Sequence, residues 1–195
     1  MRASTRRELV AGPAGRIECA VDAPEGQSRG AALVAHPHPQ FGGTLDNKVV
    51  QTLARAFVEL GYESWRPNFR GIGESEGTYD EGRGEVDDLF AVYQKIRPEV
   101  LAGFSFGAAM QAMLAKRVGA QRLVLVGVAV TNFEVPPVPA GTVVIHGEAD
   151  ETIPLSAVLD WARPQELPVV LVPGADHFFH RKLNVLRTIV SQCSG

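Results

Sequence analysis

Cysteine is scarce in this chain of 195 residues, with only two, Cys19 and Cys193, near opposite ends. They form no Cys-x-x-Cys pair, so neither a thiol redox motif nor a zinc framework is available. Both read as small buried or terminal hydrophobes rather than as a disulfide. Charge of one sign is also lacking: 19 Lys and Arg stand against 22 Asp and Glu, a net charge of −3. The basic residues are scattered, which argues against nucleic acid as a partner. Long apolar runs are missing too. The longest, Leu123 to Val130, is far short of the roughly 20 residues a membrane span needs. The start, Met1 to Glu8, is basic, but only Leu9-Val10-Ala11 follows before Gly12-Pro13, which makes no signal-peptide apolar core. The expectation is a soluble, cytoplasmic protein with neither membrane nor nucleic acid as partner.

What is present is ordinary globular composition, 45% hydrophobic and 21% charged. A chain of this mass buries about 70% of its unfolded surface, enough for one core, and residues 1–195 read as a single domain. Short runs rich in Val, Leu and Ile recur at Ala31 to Ala35, Val100 to Phe104, Leu123 to Val126, Val143 to Ile145 and Val169 to Val172. Runs of this kind suit strands buried on both faces. Between them lie helical spacings. Val49, Val50, Leu53, Phe57 and Leu60 mark one helix, with Asp46 near its start and Gly61 at its end. Val86, Leu89, Phe90, Tyr93 and Ile96 mark a second; Met110, Met113 and Leu114 a third that Gly119 ends. Leu155 with Leu159 suggests a short fourth, and Leu183, Leu186, Ile189 and Val190 a last one. The alternation predicts an α/β fold, a mostly parallel sheet with helices on both faces. Glu8 to Ala11 and Arg16 to Val21, joined by Gly12-Pro13-Ala14-Gly15, predict an antiparallel hairpin on its edge.

The most informative residues are Gly103-Phe104-Ser105-Phe106-Gly107, a G-x-S-x-G between a predicted strand and a predicted helix. Both glycines are needed because the turn is tight and a side chain at either place would collide with the neighbouring strand or helix. Ser105 is thereby lifted above the sheet, at a helix N-terminus whose unpaired amides favour developing negative charge. A serine hydroxyl alone is a weak nucleophile and requires a histidine base with an acid to orient it. Strand Val143 to Ile145 leads into His146-Gly147-Glu148-Ala149-Asp150-Glu151, and strand Val169 to Val172 into Pro173-Gly174-Ala175-Asp176-His177. The order Ser105, Asp150, His177 is that of an α/β-hydrolase triad, with His177 in the loop between the last strand and the last helix.

From about Ala31 onward the chain resembles the small α/β-hydrolases of the dienelactone-hydrolase-like type. The resemblance is carried by His36-Pro37-His38-Pro39, by Arg70-Gly71-Ile72-Gly73-Glu74-Ser75, by the elbow at Ser105, and by His146 to Asp150 and Gly174 to His177. It implies Ser105 as nucleophile, His177 as base and Asp150 as acid. Dienelactone hydrolases proper carry a cysteine nucleophile, so serine here moves the expectation toward ester or related acyl hydrolysis. Glu148, Glu151 and Asp176 compete for the acid's place. Glu148 follows the strand end too closely, and Asp176 adjoins the base and cannot easily reach its own neighbour's ring; all three suit loop solvation or local turn bonding.

For the oxyanion, one donor is expected to be the backbone N–H of Phe106. The second should come from His36-Pro37-His38-Pro39-Gln40. Proline has no N–H, which leaves His38 or Gln40, and His38 matches the position that follows glycine in the usual His-Gly-x pattern. The His36 and His38 rings are expected to brace this loop rather than to bind metal. Arg70 to Gly77 resembles a dinucleotide loop, but its last glycine is one residue late for G-x-G-x-x-G. It reads instead as a structural turn, with Arg70 anchoring neighbouring loops and Gly71 and Gly73 in conformations that other residues resist. Only fourteen residues, Gly127 to Ala140, follow the strand after which many relatives insert a lid. No lid domain is expected, and the site should be open, walled by Phe41, Phe104, Phe106, Phe133 and Phe178. The expected function is hydrolysis of a small acyl substrate, a carboxylic ester first, without cofactor or metal. Amide, peptide or thioester hydrolysis on the same residues, or a non-catalytic binding module on the same fold, are the rival readings.

Overall fold

The structure, a computed structural model, describes residues 5–193. Met1 to Ser4, where the basic N-terminal stretch begins, and residues 194–195 lie outside them. Its frame is one eight-stranded sheet in the order β1-β2-β4-β3-β5-β6-β7-β8. The N-terminal hairpin, β1 (Thr5–Gly12) and β2 (Gly15–Asp22), is antiparallel within itself, and β2 runs antiparallel to β4 (Glu63–Pro67). From β4 onward every pairing is parallel, through β3 (Ala31–Ala35), β5 (Val100–Phe104), β6 (Leu123–Val126), β7 (Val143–Gly147) and β8 (Val169–Val172).

Alternation along the buried strands divides the core in two. Leu33, Ala35, Leu101, Leu123 and Leu125 face one layer, which packs on α2 (Arg83–Ile96), α3 (Phe106–Val118) and α4 (Leu155–Ala162). Ala32, Val34, Val100, Ala102, Val124 and Val126 face the other, under α1 (Lys48–Glu59) and α5 (Leu183–Cys193). Strands covered on both sides need apolar residues at every position, which is why these runs are continuous. β8 departs from that rule: Leu171 is 40% exposed. As an edge strand it has a neighbour on one side only. The opposite edge, β1, carries Arg6, Arg7 and Glu8, and such charges discourage edge-to-edge pairing.

α1 is capped not by Asp46 but by Asn47, whose side-chain oxygen accepts from the N–H groups of Val49 and Val50. Asp46, one residue too early, lies beside Arg7 and Arg66. The turn after β4 is structural. Arg70 donates from Nε and Nη2 to the two oxygens of Asp88 and from Nη2 to the Gly84 carbonyl, while Gly71 and Gly73 hold φ of 76° and 58°. Between β6 and β7, residues 127–142 form a loop without helix. No helix among the described residues is long and apolar enough to cross a membrane.

His36, directly after β3, is fully buried. Its Nε2 accepts from the Phe69 N–H at 3.0 Å and its Nδ1–H donates to the Pro37 carbonyl at 2.6 Å, which ties the loop after β3 to the loop after β4. Burial holds its pKa down, from the ordinary 6.5 to about 4. Between those values the unfolded chain takes a proton that the folded chain refuses. Stability contributed by His36 is therefore complete above pH 6.5 and is lost as pH falls toward 4, by up to about 1.4 kcal/mol per pH unit. Urea unfolding across this window should show a pH slope that His36→Gln reduces by about one proton; equal slopes in the two proteins would remove His36 as the source.

Candidate active site

The loop carrying Ser105 is built by close approach. Ser105 joins β5 to α3 at φ 55° and ψ −115°, a conformation that costs a residue with a Cβ of order 1–3 kcal/mol. Its N–H is tied to the Val126 carbonyl of β6, and its carbonyl accepts from Ala108 and Ala109. A Cβ on Gly107 would stand 2.4 Å from the Ala35 carbonyl oxygen, and one on Gly103 would stand 2.4 Å from the Gly107 backbone. The glycines let α3 begin against β3, as the motif requires.

Asp150 and His177 follow the C-terminal ends of β7 and β8, which are neighbours in the sheet. The loops after them are joined by Ala149 N–H to the Ala175 carbonyl and Glu148 N–H to the Val172 carbonyl. His177 Nδ1 then lies 2.7 Å from Asp150 Oδ2 and Nε2 lies 3.0 Å from Ser105 Oγ. An ionised carboxylate can only accept, so Nδ1 carries the ring proton. Nε2 is left bare to accept the Ser105 hydroxyl proton. Burial pushes the Asp150 carboxyl up, but hydrogen bonds from His177 and from the Ile153 N–H outweigh it, and its pKa is below the ordinary aspartate value. Asp150 Oδ1 accepts from the Thr152 and Ile153 N–H groups. The three residues are nearly enclosed, with Ser105 keeping 9% of its surface exposed.

The competing acids are engaged elsewhere or face solvent. Glu148 accepts from the Gly174 N–H, Asp176 binds the exposed His180 ring and N–H, and Glu151 is exposed. The backbone N–H groups of Phe106 and His38 have no acceptor among the described residues. That of Gln40 is directed at His38 Nδ1, 3.3 Å away. Of the five expected aromatic walls, two are not walls. Phe104 ends β5 and points into the α1/α5 layer, and Phe106 opens α3 and points into the other layer, both buried. The turn lifts Ser105 alone, sending its neighbours to opposite sides of the sheet. Phe41 is 85% and Phe178 45% exposed, and Phe133 is half-buried.

Two contacts were not foreseen from sequence. Fully buried His146, at the end of β7, donates from Nε2 to the Ile153 carbonyl at 2.9 Å and lies 3.6 Å from Asp150 Oδ2. Its place four residues before Asp150, at a strand end, was the available signal. Tyr79 reaches His38 from the loop after β4, and nothing local in the sequence marks it. Among the described residues no group of three or more His, Cys, Asp or Glu side chains could hold a metal ion. Cavities of about 280 and 1080 Å³ lie on the α1 side of the molecule, and Ser105, Asp150 and His177 line neither.

No protein-family model matches the chain. Solved structures do. An α/β serine hydrolase without lid from Xanthomonas campestris is 37% identical with a TM-score of 0.90, over 99% of this chain and 94% of that one. An α/β serine hydrolase homologue from Coxiella burnetii is 37% identical with a TM-score of 0.88, over 96% of each chain. An uncharacterized protein of Rickettsia prowazekii is 32% identical over 193 residues, 88% of this chain and 81% of its own length. With these relatives, the mostly parallel sheet and the short β6–β7 loop, the chain belongs to the α/β-hydrolase superfamily, among its serine hydrolases without a lid.

Proposed function

We propose that the protein hydrolyses small acyl substrates, carboxylic esters first, through an acyl-enzyme on Ser105. The observation that carries this reading is the unbroken hydrogen-bond path from Ser105 Oγ through His177 to Asp150. His177 Nε2 takes the hydroxyl proton as Oγ attacks the substrate carbonyl, and Asp150 stays ionised beside the imidazolium. The N–H groups of Phe106 and His38 hold the oxyanion; both are unengaged, whereas that of Gln40 is directed at the His38 ring. The imidazolium then gives its proton to the leaving alkoxide, and water repeats the sequence to release the acid. The dienelactone-hydrolase-like reading of the sequence leads to the same scheme, with serine as the attacking group. A cytoplasmic setting fits two cysteines that are both unpaired.

The small-acyl reading is based on the lack of a helical cap between β6 and β7 among the described residues. Residues 127–142 supply no helical cap, and the exposed apolar side chains near the site are Phe41 and Phe178, so a long acyl chain would remain in water. Across p-nitrophenyl esters from C2 to C12, kcat/KM is expected to peak at C2 to C4 and to exceed that for matched amides. A steep rise toward C12 contradicts the small-acyl reading, and a preference for the amides contradicts the ester one.

A further inference from the structure

The loop after β3 presents the His38 N–H, and its geometry is set from outside the three residues that carry the chemistry. His38 is the N-cap of a short 3-10 turn, Pro39–Phe41. Its carbonyl accepts from the N–H groups of Phe41 and Gly43, at 3.1 and 3.0 Å, so the far side of the residue is tied into the turn. Its ring Nδ1 accepts from the Gln40 N–H. A backbone N–H can only donate, so Nδ1 carries no proton, and in the neutral ring the proton must sit on Nε2. Nε2 lies 3.2 Å from the Tyr79 hydroxyl. Tyr79 Oη is therefore the acceptor that keeps the ring in the tautomer the cap requires. The ring is further enclosed by Phe41, Tyr79 and Phe106, with centroids 4.7 to 5.0 Å away. Burial lowers the pKa of His38, which favours the neutral ring.

We infer that Tyr79 and the His38 side chain form a positioning pair for acyl transfer, in which the Tyr79 hydroxyl fixes the His38 tautomer and so holds the His38 N–H on the oxyanion. This rests on the reading of His38 as an oxyanion donor given above. With the Tyr79 oxygen removed, Nε2–H loses its acceptor and the proton can move to Nδ1. There it meets the Gln40 N–H donor to donor, and the 3-10 turn opens. The loss falls on the transition state, because the N–H is needed where charge develops.

The test is Tyr79→Phe, which keeps the ring and its packing. With p-nitrophenyl acetate, kcat is expected to fall about tenfold, less than the hundredfold or more that outright loss of a donor costs, with KM within twofold. Imidazole ¹⁵N spectra should show His38 protonated on Nε2 in the wild type and mixed between the two nitrogens in the variant. His38→Asn, which keeps an acceptor for the Gln40 N–H but cannot reach Tyr79, should lose a similar factor. The double variant should lose no more than the larger single effect, because the two residues act as one unit. Unchanged kcat and unchanged His38 nitrogen shifts in Tyr79→Phe overturn the positioning pair while Ser105 still takes up a fluorophosphonate. A wild type that takes up none overturns the acyl-enzyme reading and the pair with it.

Discussion

Replacing Ser105 by alanine is expected to lower kcat by about ten-thousandfold to a millionfold, with the fold retained. The hydroxyl is the group from which His177 Nε2, 3.0 Å away, can take a proton, and nothing else on the elbow can replace it. A second substitution at the same residue separates chemistry from strain. Ser105 stands at φ 55°, where any Cβ is disfavoured. Ser105→Ala keeps that strain and Ser105→Gly releases it. Both should be inactive, and the glycine variant should be the more stable by about 1 kcal/mol, a rise in Tm of about 2–4 °C in a chain of this size. Calorimetry of the two variants beside the wild type reads this directly. A glycine variant that melts below the alanine one would show that the elbow is not strained as its dihedral angles imply.

Asp150→Asn is expected to lower kcat by about a thousandfold to ten-thousandfold while leaving the fold intact. The argument is one of direction. Asp150 Oδ1 accepts from the Thr152 and Ile153 N–H groups, so the asparagine carbonyl must take that place. Its NH₂ is then turned toward His177 Nδ1, where Oδ2 now sits at 2.7 Å. A donor facing Nδ1 forces the ring proton onto Nε2, and Nε2–H can no longer accept from Ser105. Steady-state kinetics at neutral pH check the magnitude, and imidazole ¹⁵N shifts check the tautomer. A loss below tenfold would mean that another group orients His177. Glu148, Asp176 and Glu151 do not fill that role, since the first two are engaged in local bonds and the third is exposed.

The residues from which these predictions start were legible in the sequence for identifiable reasons. Strands covered on both faces require apolar residues without interruption, so β3, β5 and β6 stood out as runs. An elbow that packs a helix against a strand requires two glycines at fixed spacing, so Ser105 stood out between Gly103 and Gly107. Asp150 and His177 could be placed because each follows a recognisable strand. The unread features depend on contacts between loops far apart in the chain. Tyr79 lies in residues 68–82, which have no helical or strand period, and its partner His38 is 41 residues earlier. The Gln40 N–H directed at the His38 ring nitrogen, which favours His38 over Gln40 in the proposed oxyanion role, is a contact that no spacing rule contains. Phe104 and Phe106, expected as walls, flank Ser105, but the turn that sets the serine above the sheet buries both neighbours. At α1, two adjacent residues could serve as cap, and only the approach of Asn47 to two helix amides decides between them.

The most direct test of the account is the intact mass of the protein after incubation with a fluorophosphonate, with Ser105→Ala treated in parallel. A serine activated by His177 and Asp150 should give one covalent adduct on the wild type and none on the variant. A folded wild type without an adduct, or an equal adduct on Ser105→Ala, would contradict Ser105 as the nucleophile.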